Sequence, residues 1–364
     1  MNRWHGTDVL VRIKLPFPGQ SEYGDSGMYP QIAIPSMQQQ RRVTAAVLRS
    51  AVLALLVGPG VLSGCRKQSP IVAVIPRTTA TLLWEPMHLG ATEAAQRSGM
   101  HIYWNAPADE GDVEKQLSEF ALCVKRHYNG IAFAPDETLA PRSIVIDAVH
   151  HGIPVVVVND DLGPPAGPLL SYVSNDEARG ARLAAERVTE VLHGRGSIAV
   201  IGINTRNESG ISREEEFERV LAQIAPAIQI TERHFGDTIV THQQQIAQGL
   251  FDAQKVNVIV AMTAIATRGA YYARLASRMR STIRIVGFDQ DLLIPIQSGE
   301  VDSVVVEDTR TIGEVAITNL AAQMHGGNVK PKTLVSPLLL TRETLNAPGI
   351  SRLWQFTDFA WKEQ

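Results

Sequence analysis

Only two cysteines, Cys65 and Cys123, occur in 364 residues, which excludes a disulfide framework as the source of the fold's stability. Aromatic residues are scarce, at 6%. Neither sign of charge dominates: 34 Lys and Arg face 37 Asp and Glu, a net charge of −3. That balance argues against a general nucleic-acid binder, whose surface concentrates basic charge. No unbroken apolar run approaches the ~20 residues of a membrane-spanning helix. Gly194-Arg195-Gly196 precedes a strand-like run instead of following one, and no Walker A pattern occurs, so no nucleotide fingerprint is present. His150-His151 lacks Cys or carboxylate partners at metal spacing. Gly210 completes no Gly-x-Ser-x-Gly elbow, and no nucleophile–base pair is legible. The expectation is therefore a chain with no cofactor, no metal and no catalytic residue. What remains is a 45% apolar composition, globular in type, over a length suited to two α/β lobes.

The start of the chain follows a different logic. Residues 1–36 contain Pro16, Pro18, Gly19, Gly24, Gly27 and Pro30 without a sustained apolar period, and read as non-structural, with Met37 as an alternative translation start. From there Arg41, Arg42 and Arg49 supply a positive end. Ala51–Leu62, broken only by Gly58-Pro59-Gly60, supplies a short apolar core, and Leu62-Ser63-Gly64-Cys65 closes it. A basic end, a short apolar core and small residues before a cut make an export signal. Leu-Ser-Gly-Cys also resembles the bacterial lipobox, which implies acylation of the Cys65 thiol. The alternative is an ordinary signal peptide with an incidental cysteine. Arg66–Pro70 then reads as a polar tether. If Cys65 is lipidated, Cys123 has no intramolecular partner; among Phe120, Leu122 and Val124 it reads as a buried structural thiol.

From Ile71 the pattern alternates between short apolar runs and amphipathic stretches. Strands are expected at 71–75, 102–104, 130–134 and 154–158, with helices at 87–98, from Asp112, and at 143–151. A second series starts after Ser171-Tyr172-Val173: helices at 175–192, 213–225, 241–254, 266–278, 292–298 and 311–325 alternate with strands at 197–201, 229–234, 258–262, 283–288 and 304–306, before an extended 334–340. Continuous β-branched runs such as Val155–Val158 suit strands buried on both faces of a parallel sheet. Strand–helix alternation gives right-handed βαβ units, and two such series give two doubly wound, Rossmann-like lobes. Such sheets bind ligands at the carboxyl ends of their strands, so facing lobes offer a cleft.

Candidate site residues follow from that rule. Val155–Val158 ends in Asn159-Asp160-Asp161 and Ile283–Phe288 ends in Asp289. These polar groups could meet ligand hydroxyls, or could cap helices and form turns, the ligand role being the favoured one for Asp289. Arg213 could present a fork of donors to the cleft, or be a solvated neighbour of Glu214, Glu215 and Glu216. Trp84 could stack on a sugar ring, or begin a helix as a core residue.

The order of these features resembles the periplasmic sugar-binding proteins of the ribose-binding type, which share their fold with the ligand-binding core of the lactose-repressor family. The resemblance spans roughly Ile71 to Leu340. It is carried by Gly152–Asn159, Val173-Ser174-Asn175-Asp176, Ser212-Arg213-Glu214 with Phe217, Ile285–Asp289, and Gly326-Gly327-Asn328. It implies a type I periplasmic binding protein fold, a three-crossing hinge near Ser174, Asp308 and Ser336, and a ligand-binding set of Trp84, Asn159, Asp160, Arg213, Thr263, Asp289 and Glu307. Within that set Asn159 stands where the family often has Asp, Asp160 where Arg often follows, Thr263 for a frequent Asn, and Glu307 for a frequent Gln. These departures predict a more acidic site, suited to an amino-bearing or otherwise altered polyol. The implied organisation is 1–65 leader and signal, 66–70 tether, 71–174 plus 308–336 first lobe, 175–307 plus 337–350 second lobe, and 351–364 tail. The implied role is a monomeric, lipid-anchored binding protein of the cell envelope, on the periplasmic side. It would capture a small polar ligand for a membrane ABC permease, or for a sensor kinase or chemoreceptor. A transcription regulator would need a helix-turn-helix where the export signal stands.

Overall fold

Two parallel sheets, each covered by helices on both faces, make up the computed structural model, which describes residues 69–80, 84–277, 282–288, 292–347 and 350. Cys65 and Asp289 lie outside the described residues. Residues Gln68–Gln364 form one unit.

The first sheet begins with β1 (Ile71–Ile75), followed by α1 (Glu85–Arg97), β2 (His101–Trp104), α2 (Val113–Lys125), β3 (Gly130–Phe133), α3 (Arg142–His150), β4 (Val155–Val158) and β5 (Leu170–Asn175). The second contains α4 (Glu177–Val191), β6 (Arg195–Ile203), α5 (Glu208–Ile224), β7 (Ala227–Phe235), α6 (Val240–Ala253), β8 (Val258–Ala261), α7 (Ala264–Ala276), β9 (Arg284–Phe288), α8 (Leu293–Ser298) and β10 (Ser303–Val306). The chain then returns as α9 (Thr309–Met324) to the first sheet, whose last strand is β11 (Lys332–Val335), and ends in the second sheet as β12 (Leu338–Thr341). The sheet orders are β11-β5-β4-β3-β1-β2 and β12-β10-β9-β8-β6-β7. Every pairing is parallel except β10 with β12. Both lobes are thus wound in one pattern, and each reverses direction beside its first strand, where a crevice opens.

The apolar runs explain the layers. β1, β3, β4, β8 and β10 are buried almost throughout, as β-branched strands covered on both faces should be. One face of the first sheet packs Met87, Ala91, Ile312, Ala316 and Leu320 from α1 and α9; the other packs Phe120, Cys123 and Val145 from α2 and α3. Burial pushes the Cys123 thiol up to about 12, so it stays an unreactive apolar filler. Three helix starts use aspartate caps: Asp112, Asp176 and Asp308 each accept a backbone amide of the first turn.

Two expectations shift. The stretch read as a loop before Arg213 is already helical from Glu208, because Asn207 caps it by accepting the Gly210 amide. Arg213 therefore sits in the second turn of α5. The extended run 334–340 is two strands in different sheets, separated at Ser336-Pro337, where proline cannot donate to a ladder. The chain accordingly passes between the two layered bodies after β5, between β10 and α9, and between β11 and β12.

Candidate functional site

A cavity of about 120 Å³ lies where the carboxyl ends of the two sheets face each other. The first lobe lines it with Arg77 after β1, Trp84 at the start of α1, Asp136 after β3 and Asn159 after β4. The second contributes Asn204 and Asn207 after β6, Thr263 after β8, Phe288 ending β9 and Glu307 after β10. Arg77, Asp136, Asn159, Asn204, Thr263, Phe288 and Glu307 stand at or just beyond the end of a strand, so the sheets set their positions, while Trp84 and Asn207 stand at helix starts.

Arg213 is the most constrained group. Its Nε donates to Glu177 Oε2 at 2.6 Å and its Nη2 to Glu177 Oε1 at 2.9 Å and Glu307 Oε1 at 2.7 Å. Nη1 donates to Met262 O at 2.9 Å, and the guanidinium lies 4.4 Å over the Phe288 ring. Burial would pull this guanidinium down, but Glu177 and Glu307 overturn that and raise it. Burial likewise pushes the Glu177 carboxyl up, opposed by Arg213 and reinforced by Glu307. Glu307 Oε2 also accepts Asn159 Nδ2 at 3.3 Å, joining the two lobes beside the hinge. Asn159 itself takes a left-handed backbone, φ 67°, where asparagine is tolerated better than most residues. Thr263 lines the cavity while its hydroxyl caps α7, accepting the Ala266 amide at 3.1 Å.

Asp160 is placed differently. It is fully buried and does not line the cavity. Arg77 Nη2 donates to its Oδ2 at 2.6 Å and the Ser209 amide to its Oδ1 at 3.2 Å. The extra acidity expected from Asp160 and Glu307 is thus met by Arg77 and Arg213. At the ends of β1, β3, β6 and β7 the strand-end rule also points to Arg77, Asp136, Asn204 and Asp237, all in the lining. Glu177 and Phe288 carry no such signal; their roles appear only when α4 and β9 are packed around Arg213.

Three buried polar atoms on lining residues have no hydrogen-bond partner among the described residues: Trp84 Nε1, Asp136 Oδ2 and Asn159 Oδ1. Burial pushes Asp136 up to about 7 against the pull of Arg77. Trp84 and Phe288 add aromatic walls from opposite lobes. No cluster of His, Cys, Asp or Glu suited to a metal ion occurs among the described residues.

Residues 71–328 match the model of the periplasmic binding protein domain. The chain belongs to the periplasmic binding protein family. Its two sheets and shared winding are the type I architecture of that family, and membership implies a periplasmic location. Among curated relatives it is similar to the D-allose-binding periplasmic protein of Escherichia coli K12, 29% identical over 147 residues, 39% of this chain. The match spans about half that relative's length, 47%. Among solved structures it is similar to an ABC transporter solute-binding protein from Agrobacterium vitis bound with α-D-tagatopyranose, with a TM-score of 0.73 at 20% identity, covering 78% of this chain and 99% of that one. It is also similar to a chain of the XylFII–LytSN complex, with a TM-score of 0.68 at 19% identity, covering 76% and 98%. This periplasmic binding protein thus shares its fold with proteins solved alone and within a complex.

Proposed function

We propose that the protein is an extracytoplasmic solute-binding protein that captures one small polyhydroxylated ligand, a sugar or sugar derivative, between its lobes and delivers it to a membrane ABC permease. The observation that carries this reading is the trio of unpartnered polar atoms. A buried unpaired donor or acceptor costs about 1–3 kcal/mol. A sugar offers both what Trp84 Nε1 needs, a hydroxyl oxygen, and what Asp136 Oδ2 and Asn159 Oδ1 need, hydroxyl hydrogens. Trp84 and Phe288 suit the apolar faces of such a ring. The D-allose-binding relative and the tagatopyranose-bound structure support the same class of ligand.

In this reading Trp84, Asn159, Arg213, Thr263 and Glu307 are ligand-facing, Asp136 joins them, and Asp289 extends the set from beyond β9. Ligand bridging both lobes stabilises hinge closure. The chain is anchored through acylated Cys65 and acts as a monomer. Thermal-shift measurement against neutral and amino-bearing monosaccharides tests the reading: stabilisation by at least one is expected, and no shift with any would overturn it. The XylFII–LytSN likeness favours one second reading, a ligand-sensing subunit that docks on a partner protein. Co-purification with a permease or with a sensor kinase separates the two.

A further inference from the structure

Asp160 touches both lobes from behind the cavity wall. In the first lobe it holds Arg77, whose Nη2 donates to Oδ2 at 2.6 Å while Nε donates to Pro135 O at 3.0 Å. Arg77 lines the cavity, and its Nη1 has no hydrogen-bond partner among the described residues. From the second lobe the Ser209 amide donates to Asp160 Oδ1 at 3.2 Å. Ser209 lies in the first turn of α5, where backbone amides have no intrahelical acceptor. The preceding amide, Glu208, is met in the same way: it donates to the Thr138 hydroxyl of the first lobe at 3.1 Å. Thr138 N donates in turn to Arg206 O at 3.4 Å. Only Gly210 of the first three amides of α5 is capped from within its own lobe, by Asn207.

We infer that Asp160 is a positioning residue that couples lobe closure to ligand binding: it aims Arg77 into the cavity and, with Thr138, meets across the cleft the two first amides of α5 that Asn207 leaves unmet. This deepens the sugar-binding reading above and rests on it for the ligand. The physics is directional. A carboxylate at a helix N-terminus meets both unpaired amides and the positive end of the helix dipole, and its bond to Arg77 is charge-assisted. In an open clamp the Glu208 and Ser209 amides turn to water while the Asp160–Arg77 pair stays in the first lobe. Closure therefore gains these two capping bonds and the Thr138 N–Arg206 O bond whatever the ligand, and the same closure brings Arg77 against the ligand's oxygens. Such a latch slows escape more than entry, because it acts once the lobes have met.

The test compares wild type with Asp160→Asn, which keeps the shape and one acceptor but loses the charge, and Thr138→Val, which leaves the buried ion pair untouched. Stopped-flow release of D-allose and D-tagatose gives the ligand readout, and the ligand-free radius of gyration by solution X-ray scattering gives the closure readout. Asp160→Asn is expected to raise koff about tenfold with little change in kon. Thr138→Val should raise it about threefold, and both variants should be more open without ligand. Wild-type release rates and wild-type dimensions in both variants would overturn the latch, as would a lowered Tm with unchanged koff and dimensions. If wild type binds neither sugar, the sugar-binding reading loses its support, while the ligand-free dimensions still decide the latch.

Discussion

Asp136 and Trp84 show at the scale of single residues how burial creates a demand for a ligand. Asp136 is pushed up from 3.8 to about 7, chiefly by burial, which penalises its charge in the closed clamp. Because the closed-form value is raised, the stability this group contributes is fully present below about pH 4 and lost as pH rises through about 7. Thermal melts across that window should therefore show wild type losing stability relative to Asp136→Asn as pH rises; parallel curves would refute the assignment. Trp84→Phe keeps the aromatic wall and deletes the indole N–H, so sugar affinity should fall about tenfold, the size of one buried hydrogen bond. Titration calorimetry measures it. Which polar residue follows each strand was legible in the sequence; which of them is already satisfied was not. Asp160 and Asn159 are neighbours after the same strand, yet Arg77 and Ser209 consume one while an oxygen of the other stays unpaired. That difference lies in groups 49 and 83 residues away in the chain.

At the scale of elements, the alternation of apolar runs and helices foretold the two wound sheets because burial on both faces writes itself as continuous β-branched sequence. Helix starts were less legible. α5 begins five residues before Arg213 because Asn207 accepts its Gly210 amide, while Thr138 and Asp160 meet the two amides before it. The split of the last extended run into β11 and β12 turns on Pro337, whose ring cannot join either ladder. The packing of α1 on α9 depends on two glycines that period reasoning passes over. A Cβ on Gly90 would stand 2.0 Å from Arg310 O, and one on Gly313 2.3 Å from Met87 O. Gly313→Ala should force these helices apart and cost about 1–3 kcal/mol, seen as a lower Tm; an unchanged Tm would contradict the packing. Gly287 acts likewise at the site, since a Cβ there would meet Thr267 Cγ2 at 2.4 Å, and the Thr267 hydroxyl accepts the Phe288 amide at 3.1 Å.

At the scale of the molecule, the three passages of the chain between the layered bodies make one clamp of two lobes, and the cavity is their shared product. Its wall is charged, yet most of that charge is internally matched: Glu177 and Glu307 hold Arg213, and Asp160 holds Arg77. Among the described residues, the buried lining atoms left unmet include the amide oxygen of Asn159, a carboxyl oxygen of Asp136 and the Trp84 N–H, a pattern suited to hydroxyls. The proposed export and anchoring through the segment ending at Cys65 belong to the same scale. Cys65→Ser should abolish incorporation of labelled palmitate and release the protein from membranes; labelling that persists in the variant would remove the anchor from the account. The most direct test of the clamp itself is titration calorimetry of the protein with neutral monosaccharides and their amino derivatives. Saturable one-to-one binding of at least one of them is expected, weakened about tenfold by Trp84→Phe and by Asp136→Asn. Binding of none, or binding indifferent to both substitutions, would contradict it.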